Sequence, residues 1–482
     1  MKLVQVQSLL LCLLLGFFSQ ARSQEVNSAS TAAPAPHVSP DSQVTPSGTP
    51  LPPGEIFIDV GAAQVRKLKI ALLDFTFPLP SKDFKFSASD VEKANRYFQE
   101  IMEFSGYFEF LPKSSFLVKD NPDPGVINYE NWTPIQTELL VQGNFSTEKN
   151  GSIELRLYDI RSKKALVGKR FTGLGLQQLP SIMRRFADVC IETLTGEKGN
   201  YSTKIAFAAS EGPGKPKQIY IAQFDGSNPI NISNNSSINM SPAWSPDGDK
   251  LTYTSFKDGR PQLYVYNLLT RKTIKLTHTG SGNSGSNWHP DGKKIAFSGM
   301  NKGSTAIYSM SSFDGGSKEL FITGSGLEVE PAYSPDGKKV AFVSGRFGNP
   351  HLFVRDLTTQ KDDRITYAGW YNSNPAWRPD GKKIAFAGFD KEINRYDLFL
   401  VNPDGRQMER LTLDQGDNEK PCWSPDGRFI LFQSNRSAAG RGKAKTYQLL
   451  VMTRDGADPR ILKIPFHDVT MPAWSPRRNS WE

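Results

Sequence analysis

The side chains that could do chemistry are few in this chain of 482 residues and lie far apart along it. No Gly-x-Ser-x-Gly nucleophile elbow occurs. A lyase acting on anionic sugars would need clustered histidine and basic residues, often around a metal ion, but neither His278 nor His289 has a matching partner in the sequence. The histidines show no metal-ligand spacing with cysteine or acidic residues, and they are His37, His278, His289, His351 and His467. We therefore expect a protein that is not an enzyme and holds no metal or cofactor.

A second group of candidate residues directly precedes six copies of one short phrase, Pro-Ala-Trp or a close variant. These residues differ between the copies, whereas the phrase changes little. Loops on a rigid scaffold commonly carry binding residues, and divergence within a repeated scaffold favours one asymmetric ligand. The six pairs are Met240 and Ser241, Gly285 and Ser286, Val329 and Glu330, Ser373 and Asn374, Glu419 and Lys420, and Thr470 and Met471.

The repeat that must position these pairs is the phrase Trp-Ser-Pro-Asp-Gly-Lys-Lys-Ile-Ala-Phe with its variants. Its Pro-Asp-Gly tripeptide predicts a tight turn between two strands, because proline presets φ and glycine accepts a positive φ. Successive copies are 44, 45, 44 and 46 residues apart, which is typical of a four-stranded propeller blade rather than of a helix-pair repeat. The aspartates that mark the copies are Asp247, Asp291, Asp336, Asp380 and Asp426.

Two half-copies indicate how the ring closes. Residues 204–207 match the strand after the turn, and residues 472–476 match the phrase before it. Whole and half-copies together supply six strands of each type, so we predict a six-bladed β-propeller whose C-terminal strand pairs with the first repeat strand. Such a closure removes exposed sheet edges. The repeated tryptophans are interpreted as packing between blades, with sugar stacking as the alternative.

Composition divides the chain into four parts. Residues 1–23 have the charged, apolar and small-residue regions of a secretory signal, with cleavage expected after Ser23. Residues 24–54 are rich in Ser, Ala, Thr and Pro, which predicts a disordered tether. Residues 55–199 alternate between strand and helix patterns, and residues 200–482 carry the repeats. We therefore predict an exported, mainly β protein with an α/β N-terminal domain ahead of the propeller.

Charge and cysteine content exclude two further classes. The formal net charge of +9 becomes +7 when Lys2 and Arg22 leave with the signal segment. The chain contains no contiguous basic tract or recognised nucleic-acid module, so we interpret the excess as solvated charge beside the turns and expect no nucleic-acid partner. Only Cys190 and Cys422 remain after cleavage, which excludes a disulfide framework.

The N-terminal domain has recognisable helix signals. Ser89 and Glu92 have the spacing of a capping box ahead of a first helix. A second helix is expected to stop at Gly196, a good C-terminal cap residue. Cys190 falls on the apolar stripe of that helix, so it is interpreted as a core residue rather than a reactive thiol.

Taken together, these motifs resemble those of the TolB family, the periplasmic propeller proteins of the Tol-Pal envelope system of Gram-negative bacteria. The resemblance covers almost everything after the tether, and the combination is far more specific than the turn phrase, which peptidase and lyase propellers share. It rests on Glu-Ile-Phe-Ile-Asp-Val-Gly at 55–61, Glu-Thr-Leu-Thr-Gly-Glu-Lys-Gly at 192–199, five Pro-Asp-Gly phrases, and Met-Pro-Ala-Trp-Ser-Pro at 471–476.

The resemblance implies a monomeric, non-enzymatic scaffold that docks the peptidoglycan-associated lipoprotein Pal, contacts TolA, maintains outer-membrane integrity and supports cell division. Bacteriocins are a further partner class that it implies. Family members bind Pal around the mouth of the propeller tunnel, on loops that correspond here to the six pairs given above. Glu330 and Glu419 are the members expected to pair with donors on a partner, with ordinary solvation at the rim as the alternative.

The start of the N-terminal domain resembles the family's TolA-contacting box. The alternation of Ile56 and Ile58 suits the addition of a strand to a partner's sheet, and a structural first strand is the alternative. The box ordinarily begins near the mature N-terminus, whereas residues 24–54 precede it here. This departure puts recognition of a free chain end in doubt but not strand pairing. The box residues are Glu55, Ile56, Phe57, Ile58 and Asp59.

Overall fold

The computed structural model describes residues 66–78, 86–118, 125–147, 151–173, 175–278, 282–316, 318–413, 415–436 and 443–478. The signal segment, the tether and the box residues Glu55–Asp59 lie outside these ranges. All described residues belong to one compact unit, which spans Ile56–Glu482. The predicted boundary between residues 199 and 200 falls inside this unit and stays a prediction.

The residues before the ring form a mixed five-stranded sheet. Its order is β2-β1-β3-β4-β5, in which β1 runs parallel to β2 and β3 while β3, β4 and β5 are antiparallel. Apolar side chains of one sheet face share a core with the two helices, as their amphipathic sequences require. The elements are β1 (Leu68–Leu72), α1 (Ala88–Phe104), β2 (Phe108–Phe110), β3 (Leu139–Ser146), β4 (Ser152–Asp159), β5 (Lys164–Thr172) and α2 (Leu179–Thr195).

The capping box of α1 is two residues earlier than predicted. Ser87, not Ser89, is the N-cap: its hydroxyl accepts from Asp90 N at 3.2 Å, and the Asp90 carboxylate accepts from Ser87 N at 3.0 Å. Both candidate pairs have the required spacing, but only this start lets the buried Phe86 and Val91 enter the core as a hydrophobic staple. The second helix ends at Gly196 with a φ of 72°, as predicted.

The remaining residues form six antiparallel four-stranded blades, which confirms the predicted propeller. From the innermost strand outward, blade 1 contains β29 (Asp468–Trp474), β6 (Lys204–Ser210), β7 (Gln218–Gln223) and β8 (Ile230–Asn231); blade 2 contains β9 (Asn239–Trp244), β10 (Lys250–Ser255), β11 (Gln262–Asn267) and β12 (Lys272–Lys275); blade 3 contains β13 (Asn283–Trp288), β14 (Lys294–Asn301), β15 (Ser304–Ser311) and β16 (Glu319–Ile322). Blade 4 contains β17 (Glu328–Tyr333), β18 (Lys339–Ser344), β19 (His351–Asp356) and β20 (Asp362–Arg364); blade 5 contains β21 (Tyr371–Trp377), β22 (Ile384–Asp390), β23 (Arg395–Val401) and β24 (Glu409–Arg410); blade 6 contains β25 (Asn418–Trp423), β26 (Phe429–Arg436), β27 (Lys443–Thr453) and β28 (Arg460–Ile461).

The ring closes by pairing of the C-terminal strand with the first repeat strand, as predicted. In this pairing Val469 lies opposite Ala209, and Trp474 lies opposite Ile205. Closure gives the innermost strand of blade 1 a hydrogen-bonded neighbour although it comes from the other end of the chain.

The repeated tryptophans join neighbouring blades. Each of the side chains of Trp244, Trp288 and Trp423 is less than a tenth exposed, and each indole Nε1 donates to an alanine carbonyl of the preceding blade at 3.0–3.2 Å. Buried rings cannot stack on a sugar. The structure therefore supports the interpretation of these residues as packing between blades.

Chain direction gives the ring two faces. Every innermost strand begins at what we call the mouth face and ends at what we call the turn face, where the Pro-Asp-Gly turns lie. In blade 4 the mouth face consists of loop 345–350 and of loop 365–370 leading to blade 5. The turn face of the same blade consists of turns 334–338 and 357–361.

The first helix packs against blades 1 and 6. The Phe104 ring centroid lies 5.1 Å from that of Phe224 in blade 1 and 5.6 Å from that of Phe429 in blade 6. Arg460 Nη1 donates to Phe104 O at 3.0 Å, which places a cation at the C-terminal end of α1. The helix thereby contacts both blade 1, in which the ring closes, and the neighbouring blade 6.

Candidate partner-docking site

Every innermost strand carries a β-bulge at the same position. The pairing register shifts there in all six blades, and one residue of each bulge has a positive φ of 52–63°. Because this conformation costs a non-glycine residue about 1 kcal/mol or more, the surrounding sheet must hold it in place. We call these six residues the bulge ring: Ser241, Gly285, Glu330, Asn374, Lys420 and Met471.

The predicted residue pairs lie inside the innermost strands and not in loops that lead into them. Glu419, for example, pairs with Gln433 in the adjacent strand. The innermost strands begin earlier than predicted, because the extra residue of a bulge interrupts the alternation by which a strand is recognised. In blade 3 the predicted pair is also displaced by one residue relative to the other blades. Gly285 holds the left-handed position there, and Ser286 occupies the position of the proline that follows it in the other blades.

All six residues of the bulge ring are partly exposed at the channel. Upstream of them, Val329, Ser373 and Thr470 are buried, whereas Met240 and Glu419 are partly exposed. The bulge ring is therefore the part of the predicted set that is accessible from the channel in every blade.

Glu330 joins three blades by hydrogen bonds. Its carboxylate accepts from Asn374 N at 2.7 Å, from Asn374 Nδ2 at 2.6 Å and from Lys420 Nζ at 2.9 Å. Lys420 lies two blades away from Glu330, so this ion pair spans part of the channel. About 70% of both side chains is shielded from solvent. Glu330 thus uses its acceptor capacity inside the chain.

Glu419 is also satisfied within the chain. Its carboxylate accepts from Tyr447 Oη at 2.9 Å and from Gln433 Nε2 at 3.2 Å. Desolvation raises the pKa of Glu419, although these donors and Lys420 oppose the shift. Gln433 in turn accepts from Met471 N at 2.8 Å, which links blade 6 to the closing strand. Glu419 therefore contributes to ring closure.

The remaining bulge residues make local contacts. Ser241 N lies 3.3 Å from Met471 Sδ across the junction of blades 1 and 2. Gly285 N donates to Thr254 Oγ1 at 3.3 Å, and Ser286 Oγ donates to Thr252 Oγ1 at 2.8 Å. Two residues of the bulge ring, Glu330 and Lys420, are therefore charged, and the other four are neutral.

A hydrogen-bonded latch between adjacent blades, which was not predicted from the sequence, lies below the bulge. A buried asparagine at or next to the start of an innermost strand donates its Nδ2 to a buried residue in the third strand of the preceding blade. The pairs are Asn239 with Gln218 at 3.2 Å, Asn283 with Gln262 at 3.0 Å, Asn372 with His351 at 2.8 Å, and Asn418 with Asp397 at 3.3 Å. Superposing the repeats on one another would have revealed the recurrent asparagine.

The His351 latch predicts acid sensitivity. Burial, and to a smaller extent Arg364, lowers the pKa of His351 to about 4. The unprotonated Nδ1 can then accept from Asn372. The unfolded chain takes up this proton near pH 6.5, so the stabilisation is complete above pH 6.5 and is lost as pH falls toward 4. Through this histidine, the wild type should lose about 2 kcal/mol of unfolding free energy between pH 7.5 and pH 5. We expect His351→Gln, which introduces the residue found at this position in blades 1 and 2, to abolish that loss.

Urea unfolding of both proteins at the two pH values measures this effect. An equal loss of stability on acidification in the wild type and in His351→Gln would show that another group is responsible.

A second feature missed from the sequence is an arc of exposed apolar side chains on the mouth face. Phe347 lies in loop 345–350 and is 71% exposed. Trp370 precedes β21 and is 48% exposed, and Leu413 precedes β25 and is 54% exposed. These loops belong to blades 4 to 6, the same blades that Glu330 joins. We call Phe347, Trp370 and Leu413 the apolar arc.

His289 has a structural environment. Its Nδ1 lies 2.8 Å from Asp291 Oδ1, and its Nε2 lies 3.3 Å from Gly337 O in the next blade. The imidazole also packs edge-on against Tyr333, with ring centroids 4.9 Å apart. This histidine therefore connects the turns of two blades. Among the described residues, no cluster of three potential metal-ligating side chains occurs.

Comparison with known families identifies the architecture further. The family model described as the TolB amino-terminal domain matches residues 57–166, and the TolB β-propeller domain matches residues 191–435, just over half of the chain. This chain belongs to the TolB family. Within the described residues, no helix is both long and apolar enough to cross a bilayer.

Individual relatives agree with the family assignment. The Tol-Pal system protein TolB of Desulfosudis oleivorans is 41% identical over 175 residues, which cover 35% of this chain and 39% of the relative. A TolB homologue of Chlorobium luteolum is 31% identical over 267 residues, covering 55% of this chain and 60% of the relative. The chain thus spans about two fifths to three fifths of these curated relatives.

A solved structure shows the same fold. TolB from Acinetobacter baumannii superposes with a TM-score of 0.74 at 24% identity, and the match covers 88% of this chain and all of that one. The likeness at this identity concerns the fold. It includes the N-terminal domain as well as the ring.

Proposed function

We propose that this protein is an exported, periplasmic, non-enzymatic scaffold of the Tol-Pal system. On this proposal it docks the lipoprotein Pal on the mouth face, contacts TolA through Glu55–Asp59, maintains outer-membrane integrity and supports cell division. Membership of the TolB family and relatives described as Tol-Pal system proteins support it. A bacteriocin that uses the same face would compete with Pal.

The observation that carries the docking proposal is the asymmetry of the mouth face. A sixfold scaffold offers equivalent positions on every blade, yet the apolar arc follows blades 4 to 6. Exposed aromatic and apolar side chains beside polar groups mark protein-binding surfaces. The Glu330, Asn374 and Lys420 contacts hold the blades beneath this arc together, so the surface is rigid before a partner binds.

The residue chemistry of the ring supports binding rather than catalysis. His289 and His351 are both engaged in contacts between blades. The bulge ring carries one carboxylate and one ammonium that already neutralise each other. A rigid, largely satisfied surface suits recognition of another protein.

Substitution of Phe347 tests the docking surface. We expect Phe347→Ala to raise the dissociation constant for the soluble domain of Pal at least tenfold, about 1.4 kcal/mol, as removal of an aromatic anchor does. The matched control is Phe313→Ala, since Phe313 is 67% exposed but lies in a turn of blade 3 on the turn face. Calorimetry with both variants makes the comparison.

The control should bind Pal within twofold of the wild type. Weakening by Phe313→Ala only would move the site to the turn face, and unchanged binding in both variants would remove the mouth face from the proposal.

In the same assay, the Ile58→Asp variant should no longer bind TolA but should still bind Pal. Loss of both partners would indicate a folding role for Ile58.

A further inference from the structure

A broad groove of about 920 Å³ opens between blades 4 and 5 on the turn face and the adjoining outer edge. Blade 4 contributes Lys339 at the start of its second strand, its third and outermost strands, and the turn between those two strands. Blade 5 contributes its Pro-Asp-Gly turn, with Lys382, and the turn around Asp404. These turns lie on the turn face, and the groove runs from them along the outer edge to Tyr367 in loop 365–370, which belongs to the mouth face.

The groove is positively charged. Three carboxylates line it, from Asp356, Asp363 and Asp404, against six basic side chains. The lining therefore has a formal charge of +3. The basic residues are Lys339, Lys361, Arg364, Arg378, Lys382 and Lys383.

Several of these cations are available to a ligand. Lys339 and Lys382 form no ion pair within the described part of the chain. Lys361 pairs with Asp363 at 2.8 Å, but both side chains are more than half exposed. Exposed pairs of this kind contribute little net free energy, so a competing anion displaces them readily. The groove thus offers a ligand at least three ammonium groups, those of Lys339, Lys361 and Lys382.

An aromatic ring stands at one end of the same groove. Tyr367 is 72% exposed, yet its position is defined by two contacts. Its ring centroid lies 4.7 Å from the Arg364 guanidinium carbon, and its hydroxyl donates to Arg364 O at 3.1 Å. A fixed and exposed ring face suits stacking against the apolar face of a sugar.

We propose that this groove is a second binding site, for an anionic glycan. Carboxylate or phosphate groups along the glycan would pair with Lys339 and Lys382, while one sugar ring stacks on Tyr367. An isolated phosphate would leave the aromatic ring unused. The cations lie on different strands and turns of two blades, so several separated charges fit the groove better than one.

The test uses the mature protein at 0.15 M salt, where attraction between distant charges is screened. Alginate oligomers serve as the carboxylate-bearing probe in calorimetry. Neutral dextran of equal length, inorganic polyphosphate and phosphatidylglycerol vesicles serve as comparison probes. We expect alginate to bind and dextran not to bind.

Two sets of variants locate the site. Lys339→Gln with Lys382→Gln should weaken alginate binding at least tenfold. The matched control, Lys293→Gln with Lys294→Gln, removes the same charge from the equivalent turn of blade 3 and should change affinity less than twofold. Tyr367→Ala should weaken binding at least threefold, whereas Tyr367→Phe keeps the ring and should bind normally. These exposed substitutions should leave the thermal midpoint unchanged.

Several results would overturn the proposal. Equal weakening by the two lysine variants would reveal general attraction to net charge. Polyphosphate that binds as tightly as alginate, with no effect of Tyr367→Ala, would reveal a simple anion patch. Binding to the vesicles only would identify a membrane surface, and absence of alginate binding would exclude an acidic glycan of this kind.

Discussion

Trp474→Ala should lower the free energy of unfolding by about 3–5 kcal/mol, which is the usual effect of removing a large buried aromatic ring. Trp474 is 8% exposed, lies opposite Ile205 in the strand pairing that closes the ring, and donates its indole N–H to Thr203 Oγ1 at 2.8 Å. The substitution leaves a cavity and removes this donor from Thr203 in the strand pairing that closes the ring. Urea unfolding followed by tryptophan-independent circular dichroism measures the change.

Trp370→Ala is the matched control. Trp370 is 48% exposed, and its described side-chain partner is Lys391, whose Nζ lies 4.4 Å from the ring centroid. An exposed cation–π contact contributes about 0.5–1 kcal/mol, so the control should lose no more than that. Similar losses in both variants would show that closure through Trp474 does not limit stability.

Asp397→Ala should destabilise the protein by about 3 kcal/mol or more, as removal of one member of a buried charged network does. Asp397 is fully buried and accepts from Thr412 Oγ1 at 2.7 Å, from Asn418 Nδ2 at 3.3 Å and from Arg410. Without the carboxylate, the buried Asn418 loses its partner across the junction of blades 5 and 6. The unfolding midpoint in urea is the measurement.

The same substitution at an exposed pair provides the comparison. Asp363→Ala removes the partner of Lys361 in blade 4, where both side chains are well exposed, and should cost less than about 1 kcal/mol. Asp397→Asn keeps one acceptor oxygen and should lie between the two. An Asp397→Ala protein as stable as Asp363→Ala would mean that the latch is not an energetic link between blades.

The architecture could be predicted because it repeats. A period of 44–46 residues with a Pro-Asp-Gly turn in each copy leaves few alternatives to a propeller blade. Matching half-copies at the two ends then indicate closure, since two incomplete blades are stable only when they complete each other. The helix end at Gly196 was predictable for a similar reason, because glycine readily adopts the left-handed conformation found there.

Local signals failed where two choices satisfy the same rule. Ser87 with Asp90 and Ser89 with Glu92 both have capping-box spacing, and packing of Phe86 in the core selects the first pair. The bulge at Glu330 and its five equivalents have no reliable sequence signature. Any residue can be held in the left-handed position once the neighbouring strand pairs on both sides of the bulge. Strand starts were therefore placed too late.

By itself the sequence determined the number of blades and the closure of the ring, because both depend on spacing along the chain. Only the tertiary structure decided that Glu330 binds Lys420 two blades away, that Glu419 faces Tyr447, and that Phe347, Trp370 and Leu413 form one arc. Glu330 and Lys420 come from different blades, and Glu419 and Tyr447 come from different strands of blade 6. The curvature of the ring and the pairing of its strands, not separation in sequence, bring these residues together.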